Sequence, residues 1–283
     1  MTFDEARREI IKAIGHIYEQ DEATNIAELL MENITGFPRS QRIVKRTDTL
    51  EILQEESLYS SILRLKAHEP VQYVINEAWF AGMKFYVDSN VLIPRPETEE
   101  LVEWVVKEVE SQKSKIKILD VGTGSGCIAI ALKNKLLTAD VWGCEVSDKA
   151  MDVARMNADA LRSTIDFVSM NFIDPDQRKQ LPVVDIIVSN PPYIPQIEKM
   201  ELKKNVTEYE PSAALFVPDN DPLVFYNALA EFGREKLNKG GAIYVEIHEH
   251  LGEQIRNLFV SSGYAAQVRK DLQGKDRMIK ASN

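Results

Sequence analysis

Apolar runs alternate with longer amphipathic segments from residue 116 onward, and this alternation limits the fold more than any other feature. The runs that predict strands lie at 116–121, 140–146, 165–169, 184–189 and 241–247. The segments that predict helices lie at about 126–137, 147–161, 222–237 and 250–262. Strands and helices that alternate at this spacing form a parallel sheet with helices on both faces. We therefore expect a doubly wound α/β domain.

The two ends of the chain have other patterns. Residues 1–75 carry apolar side chains at helical spacing without strand-like runs, which predicts a small helical bundle. The aromatic pairs in Trp79–Ala81 and Phe85–Val87 predict a β-hairpin. Segments 265–270 and 277–281 flank a Gly-containing turn and predict a second hairpin, which gives the sheet an antiparallel C-terminal strand.

These patterns divide the chain into three predicted parts. They are a helical bundle at 1–75, a β-hairpin and linker at 76–98, and an α/β domain at 99–283 that opens with a helix over 99–110. The bundle is interpreted either as a structural cap or as a module that docks a partner, and the sequence leaves both interpretations open.

Composition excludes several classes of protein. The net charge of −10 and pI of about 5.1 argue against stable binding to nucleic acid, which requires a basic surface. No run approaches the roughly 20 apolar residues of a membrane span, and residues 1–8 do not resemble a signal peptide. Two cysteines, Cys127 and Cys144, indicate a reducing compartment, so we expect a cytoplasmic protein. His248 and His250 lack further ligands, and no metal site is predicted.

A glycine-rich loop follows the first predicted strand of the α/β domain. It contains Gly122, Thr123, Gly124, Ser125 and Gly126. Glycines allow the backbone to approach a ligand closely, and the helix that follows offers free N–H groups. Glu145 ends the next strand, where an acidic side chain can hold both hydroxyls of a ribose. The pattern predicts a nucleoside site, although the glycines alone also fit a dinucleotide.

Asn190, Pro191, Pro192 and Tyr193 follow the buried run 185–189. Ligands of open α/β sheets lie at such strand ends. The Asn190 side-chain carbonyl accepts an N–H group, a proline carbonyl is a second acceptor, and the Tyr193 ring stacks on flat groups. The motif therefore fits a site that binds a planar NH2 group, whereas the alternative interpretation is a proline-rich turn that closes the strand.

The glycine loop at 120–126 and the Asn-Pro-Pro-Tyr motif together resemble class I methyltransferases that modify amino or amide nitrogen. A more specific resemblance, to the HemK-type release-factor glutamine methyltransferases, is carried by residues 92–99, Glu210-Pro211 and residues 271–277. This resemblance runs from about residue 70 to the end of the chain. It implies a mostly parallel seven-stranded methyltransferase sheet, an N-terminal helical bundle and S-adenosyl-L-methionine as cofactor.

The resemblance also implies roles for individual residues. Residues 122–126 would hold the methionine part and the ribose edge of the cofactor, Glu145 would bind the ribose, and Phe172 would stack near the adenine. Asn190 would lie against the cofactor and contact the acceptor amide, and Pro191–Tyr193 would shape the amide pocket. Asn171 stands where the family commonly has an acidic residue.

The implied activity is methyl transfer to the glutamine of the Gly-Gly-Gln loop in peptide chain release factors, carried out by a monomer. Asn190, Pro191 and Tyr193 are the expected catalytic residues. Three alternatives remain: an N6-adenine methyltransferase acting on nucleic acid, a glutamine methyltransferase acting on a ribosomal protein, and a binding module without activity.

Overall fold

The computed structural model of the protein describes residues 1–109 and 115–283, which divide into two compact units. The N-terminal unit consists of Met1–Glu77 and Lys203–Tyr209, and the sheet unit consists of Ala78–Leu202 and Glu210–Asn283. Within these described ranges, no helix has the length and apolar character needed to cross a membrane. The predicted three-part division of the chain and the docking role of its bundle stay predictions.

The N-terminal unit is helical, as predicted. Its helices before the sheet unit are α1 (Phe3–Ile14), α2 (Gln20–Thr35), α3 (Arg39–Val44), α4 (Ile52–Lys66) and α5 (Val71–Ile75). A capping box starts α1, because Thr2 Oγ1 accepts from the Glu5 N–H and the Glu5 carboxylate accepts from the Thr2 N–H. Ile10, Leu30 and Leu58 from three different helices are buried together, so apolar packing holds the bundle.

In the part of the chain that the structure describes, the strands of the sheet unit form one large sheet and two small ones. They are β1 (Ala78–Phe80), β2 (Met83–Phe85), β3 (Lys117–Val121), β4 (Asp140–Glu145), β5 (Asp166–Ser169), β6 (Val184–Ser189), β7 (Ile194–Pro195), β8 (Phe216–Val217), β9 (Leu237–Glu246), β10 (Ala265–Lys270) and β11 (Asp276–Ser282). Among the described residues, seven strands form the large sheet, in the order β10-β11-β9-β6-β3-β4-β5.

The large sheet confirms the predicted fold class. β3 pairs in parallel with β4 and β6, and β4–β5 and β6–β9 are also parallel. The C-terminal strand β11 is antiparallel to both of its neighbours. It lies between β9 and β10, so the last strand of the chain is inserted into the sheet and β10 forms the edge.

Helices cover both faces of the large sheet. The remaining helices are α6 (Pro96–Val109), α7 (Cys127–Lys135), α8 (Asp148–Ala160), α9 (Pro175–Arg178), a 3₁₀ turn (Gln196–Glu201), α10 (Lys204–Thr207, in the N-terminal unit), α11 (Ser212–Leu215), α12 (Val224–Lys236) and α13 (Gly252–Ser261). Successive β3 residues alternate between faces. Ile118 packs in the cluster with α6 and α7, and Leu119 packs in the cluster with α12 and α13.

Several boundaries differ from the predicted ones. The first hairpin forms, with Phe80 paired to Met83 across a turn at Ala81-Gly82. Its second strand ends at Phe85, where the predicted segment Phe85–Val87 begins. A two-residue turn matches the twist of the paired strands. Helix α6 begins at Pro96 instead of residue 99, because proline is well tolerated in the first helical turn. Residue 110, the predicted end of that helix, lies outside the described residues.

Candidate active site

The predicted site residues converge at the carboxyl ends of β3, β4 and β6. β3 lies centrally, with β4 on one side and β6 on the other. The chain passes from β3 to β4 and returns across β3 to reach β6 later, so the strand order reverses at β3. A crevice at such a reversal is where open α/β sheets bind ligands.

The glycine loop connects β3 to α7 in a conformation that favours glycine. Gly122, Gly124 and Gly126 have φ angles of +73°, +53° and +81°. A Cβ atom at Gly122 or Gly124 would meet no heavy atom within 4 Å, whereas one at Gly126 would lie 3.1 Å from Ile130 Cδ1. The first two glycines therefore border open space that a ligand can approach, and the third allows close packing of α7.

Asp120 is a candidate site residue that the sequence analysis did not select. It is completely buried at the end of β3, and its Oδ2 accepts from Thr123 Oγ1 (2.6 Å) and the Ala129 N–H (3.2 Å). Its Oδ1 is buried without a hydrogen-bond partner within the described chain. Burial raises the Asp120 pKa to about 7. An unpartnered carboxylate oxygen beneath the loop suits a cationic ligand group.

Glu145 lies where the sequence analysis predicted, at the end of β4 beside the glycine loop. One carboxylate oxygen accepts the Gly124 N–H at 3.1 Å. The other accepts the N–H groups of Val146 and Ser147 at 2.9 and 3.0 Å. These contacts hold the carboxylate at the loop, although ribose binding by Glu145 stays a prediction.

Phe172 has the surroundings of a core residue. Only 5% of it is exposed, and its ring packs edge-on against Phe232 with the centroids 5.3 Å apart. The Arg178 guanidinium lies 5.5 Å from the ring centroid. Stacking of Phe172 on adenine stays a prediction, because these contacts alone account for an aromatic residue at this position.

The Asn-Pro-Pro-Tyr motif begins directly after β6 and is tied to neighbouring elements. Asn190 Nδ2 donates to Thr98 Oγ1 (3.1 Å), and Thr98 Oγ1 donates to Glu246 Oε2 (2.6 Å). Tyr193 Oη donates to Glu246 Oε1 at 3.1 Å. Pro191 is buried, whereas Pro192 is partly exposed. The structure thus brings the motif together with Thr98 and Glu246, neither of which the sequence analysis gave a role.

The stretches that carry the family resemblance also meet. Arg95, from the proline-rich segment before α6, pairs with Glu210 at 2.5 Å. Glu210 is almost fully buried, and burial raises its pKa while Arg95 opposes that shift. The ion pair therefore joins the proline-rich segment to a buried carboxylate.

The strand order and the loop at the switch point define a class I methyltransferase fold. The structure resembles that of a methyltransferase from Pyrococcus furiosus with a TM-score of 0.53, at 19% identity, over 79% of this chain and 96% of that one. Two family models also match: the Methyltransferase small domain over residues 98–209 and the PrmC N-terminal domain over residues 5–75.

Curated relatives identify the family more narrowly. The release factor glutamine methyltransferase of Flavobacterium psychrophilum is 40% identical over 100% of this chain and 99% of its own length. The release factor glutamine methyltransferase of Bacteroides thetaiotaomicron is 39% identical over 96% of this chain and 97% of its own length. The protein belongs to the release factor glutamine methyltransferase family, which confirms the resemblance predicted from its sequence.

Proposed function

We propose that the protein transfers the methyl group of S-adenosyl-L-methionine to the side-chain nitrogen, N5, of the glutamine in the Gly-Gly-Gln loop of a peptide chain release factor. The observation that carries this proposal is the orientation of Asn190 at the switch point. Its Nδ2 is committed to Thr98, so the acceptor that the side chain offers to a substrate is Oδ1. An amide N–H group is a suitable donor to it.

The residues at the glycine loop fit the cofactor. The buried, unpartnered Asp120 Oδ1 would face the cationic part of the molecule, the backbone of residues 122–126 would lie against it, and Glu145 would accept from the ribose hydroxyls. Bound S-adenosylmethionine supplies a methyl group on a positively charged sulfur. The protein's task is then to bring a weak nucleophile into line with that methyl group.

A glutamine amide is a weak nucleophile because its nitrogen lone pair is delocalised into the carbonyl. In the proposed mechanism, Asn190 Oδ1 and the Pro191 carbonyl accept its two N–H groups. These contacts orient the nitrogen and stabilise the positive charge that grows there during transfer. Pro192 and Tyr193 would enclose the flat amide. The proton then leaves to water.

The partner and setting are part of the same proposal. Family membership over the full chain and the acidic charge of −10 support a protein substrate over nucleic acid. The N-terminal unit would dock the release factor, and the enzyme would act in the cytoplasm as a monomer. An adenine base also presents an NH2 group, so the substrate assay must include nucleic acid.

The test compares possible acceptors in parallel. The purified protein is incubated with methyl-labelled S-adenosylmethionine and one of four substrates: a release factor, its Gly-Gly-Ala variant, a ribosomal protein or duplex DNA. We expect label in the intact release factor alone. Asn190→Ala should reduce that labelling by on the order of 100-fold while cofactor affinity changes by no more than several-fold. Label in DNA or in the ribosomal protein alone would overturn the assignment.

A further inference from the structure

We infer that Glu246 is a positioning residue for methyl transfer, and that its carboxylate acts through Thr98 to fix which end of the Asn190 amide faces the substrate. The inference rests on the proposed function, since it concerns the same site. It adds two residues and a direction of hydrogen bonding to that site.

The direction follows from the number of protons available. An ionised carboxylate only accepts hydrogen bonds, so the Thr98 hydroxyl, 2.6 Å from Glu246 Oε2, must donate its single proton there. Thr98 Oγ1 then has only lone pairs to offer to Asn190 at 3.1 Å. The Asn190 atom at that distance must be the NH2 nitrogen, which directs Oδ1 away from Thr98. Hydrogen-bond logic thus fixes the amide orientation.

The same carboxylate also holds the aromatic residue of the motif. Tyr193 Oη donates to Glu246 Oε1 at 3.1 Å. Burial and the nearby Glu246 charge both raise the pKa of the Tyr193 phenol, so it remains a neutral donor. One side chain at the end of β9 therefore anchors both Asn190 and Tyr193, at the two ends of the Asn-Pro-Pro-Tyr motif.

The surroundings of Glu246 make its charge sensitive to pH. Only 1% of the residue is exposed, and burial raises its pKa above the ordinary value for glutamate. Hydrogen bonds from Thr98 and Tyr193 and the positive charge of Arg277 on β11 oppose that shift, while Glu97 on α6 adds to it. From α12, the Tyr226 hydroxyl donates to the Glu246 backbone carbonyl.

Protonation of Glu246 would reverse the hydrogen-bond relay. A carboxylic acid can donate to Thr98 Oγ1, which frees the Thr98 proton to point at Asn190. Asn190 would then turn its Oδ1 toward Thr98 and present an NH2 group to the N–H groups of the substrate. Methyl transfer should therefore fall on the acid side, at a pH above the ordinary titration range of a glutamate.

The experiment measures kcat/KM for a release factor against pH, together with cofactor affinity by calorimetry. Thr98→Val keeps the shape of the side chain but removes the relay, and should lower kcat/KM by on the order of 100-fold with cofactor affinity within several-fold. Thr98→Ser restores the hydroxyl and should recover most of the loss. Glu246→Gln cannot ionise, so its profile should lack the acid limb of the wild type.

Ser189→Ala is the matched control, because it removes a buried hydroxyl next to Asn190 that bonds the Val121 carbonyl and lies outside the relay. This control should keep the acid limb and stay within several-fold of wild-type kcat/KM. Wild-type turnover by Thr98→Val, or an unchanged acid limb in Glu246→Gln, would overturn the inference while the proposed function stands. If Thr98→Val does not fold, the pH profile of Glu246→Gln alone tests the inference. Absence of release-factor methylation by the wild type would instead remove the proposed function.

Discussion

Replacing Asp120 by asparagine should make the sheet unit more stable while weakening cofactor binding. Asp120 is completely buried, and one of its oxygens lacks a hydrogen-bond partner within the described residues. Ionising such a group is costly in a low-dielectric interior. Without cofactor, the folded protein is therefore destabilised by the buried charge, and a neutral asparagine of nearly the same shape avoids this destabilisation. Functional sites commonly lower stability in this way.

The size of this cost follows from the pKa of Asp120. A rise from 3.8 to about 7 corresponds to roughly 4 kcal/mol lost by the folded state once the carboxyl is fully ionised. The NH2 group that the substitution introduces would be left unpaired, which would cancel about 1–3 kcal/mol of the gain. The net stabilisation expected at pH 8 is therefore about 1–3 kcal/mol.

The pH dependence is a sharper test, because the unpaired amide contributes equally at every pH. The folded-state pKa of Asp120 is raised, so its stabilising contribution is complete below pH 3.8 and is lost as the pH rises through about 7. The advantage of Asp120→Asn over the wild type should accordingly grow by about 1 kcal/mol between pH 6 and pH 8.

Urea unfolding followed by tryptophan fluorescence suits this measurement, because all three tryptophans, Trp79, Trp104 and Trp142, belong to the sheet unit. Asp166→Asn, at an exposed position on β5, is the matched control and should change little. Calorimetry should show a loss of S-adenosylmethionine affinity of about tenfold to a hundredfold for Asp120→Asn. A stability difference that is constant or shrinks from pH 6 to pH 8 would show that ionisation of the buried Asp120 does not destabilise the folded protein.

Three other substitutions test the packing and the ion pair. Gly233→Ala should lower the melting temperature although alanine favours helices, because the new Cβ would lie 2.5 Å from Tyr264 Oη. The decrease should be smaller when Tyr264 is also replaced by phenylalanine, and an equal decrease would count against the steric cause. Arg95→Met should lower the free energy of unfolding in urea by about 2 kcal/mol or more, since it leaves the buried Glu210 without its ion-pair partner. An unchanged free energy of unfolding would mean that water replaces Arg95. Gly126→Val should reduce cofactor affinity as well as stability, because residue 126 has a φ of +81° and little space for a side chain. If calorimetry gives the wild-type affinity, the loop tolerates the change.

The sequence predicted the layers of the fold well, because burial on a sheet leaves a regular pattern of apolar residues. It also located the glycine loop and the Asn-Pro-Pro-Tyr motif at strand ends, where they meet at the switch point. The pattern of apolar residues did not predict that β11 inserts between β9 and β10. A hairpin signal indicates that two strands pair, but it does not indicate which of them joins the sheet.

The polar contacts behind the motif could not be predicted in the same way. Thr98 and Glu246 are 148 positions apart, and a single hydrogen bond over that separation leaves no periodic trace. Asp120 did carry a local signal, since it is an acidic residue that closes an apolar strand directly before the glycine loop. Phe172 shows the opposite case, because an aromatic residue shortly after a strand fits core packing and ligand stacking equally well.

In the proposed mechanism, Asn190 holds a glutamine amide and aims its nitrogen at the cofactor's methyl group. This role of Asn190 can be tested by tandem mass spectrometry of a release factor after incubation with S-adenosylmethionine and either wild-type enzyme or Asn190→Ala. We expect one added methyl group on the Gly-Gly-Gln glutamine side chain with the wild type and only a trace with the variant. A methyl group on another residue, or equal modification by both enzymes, would contradict it.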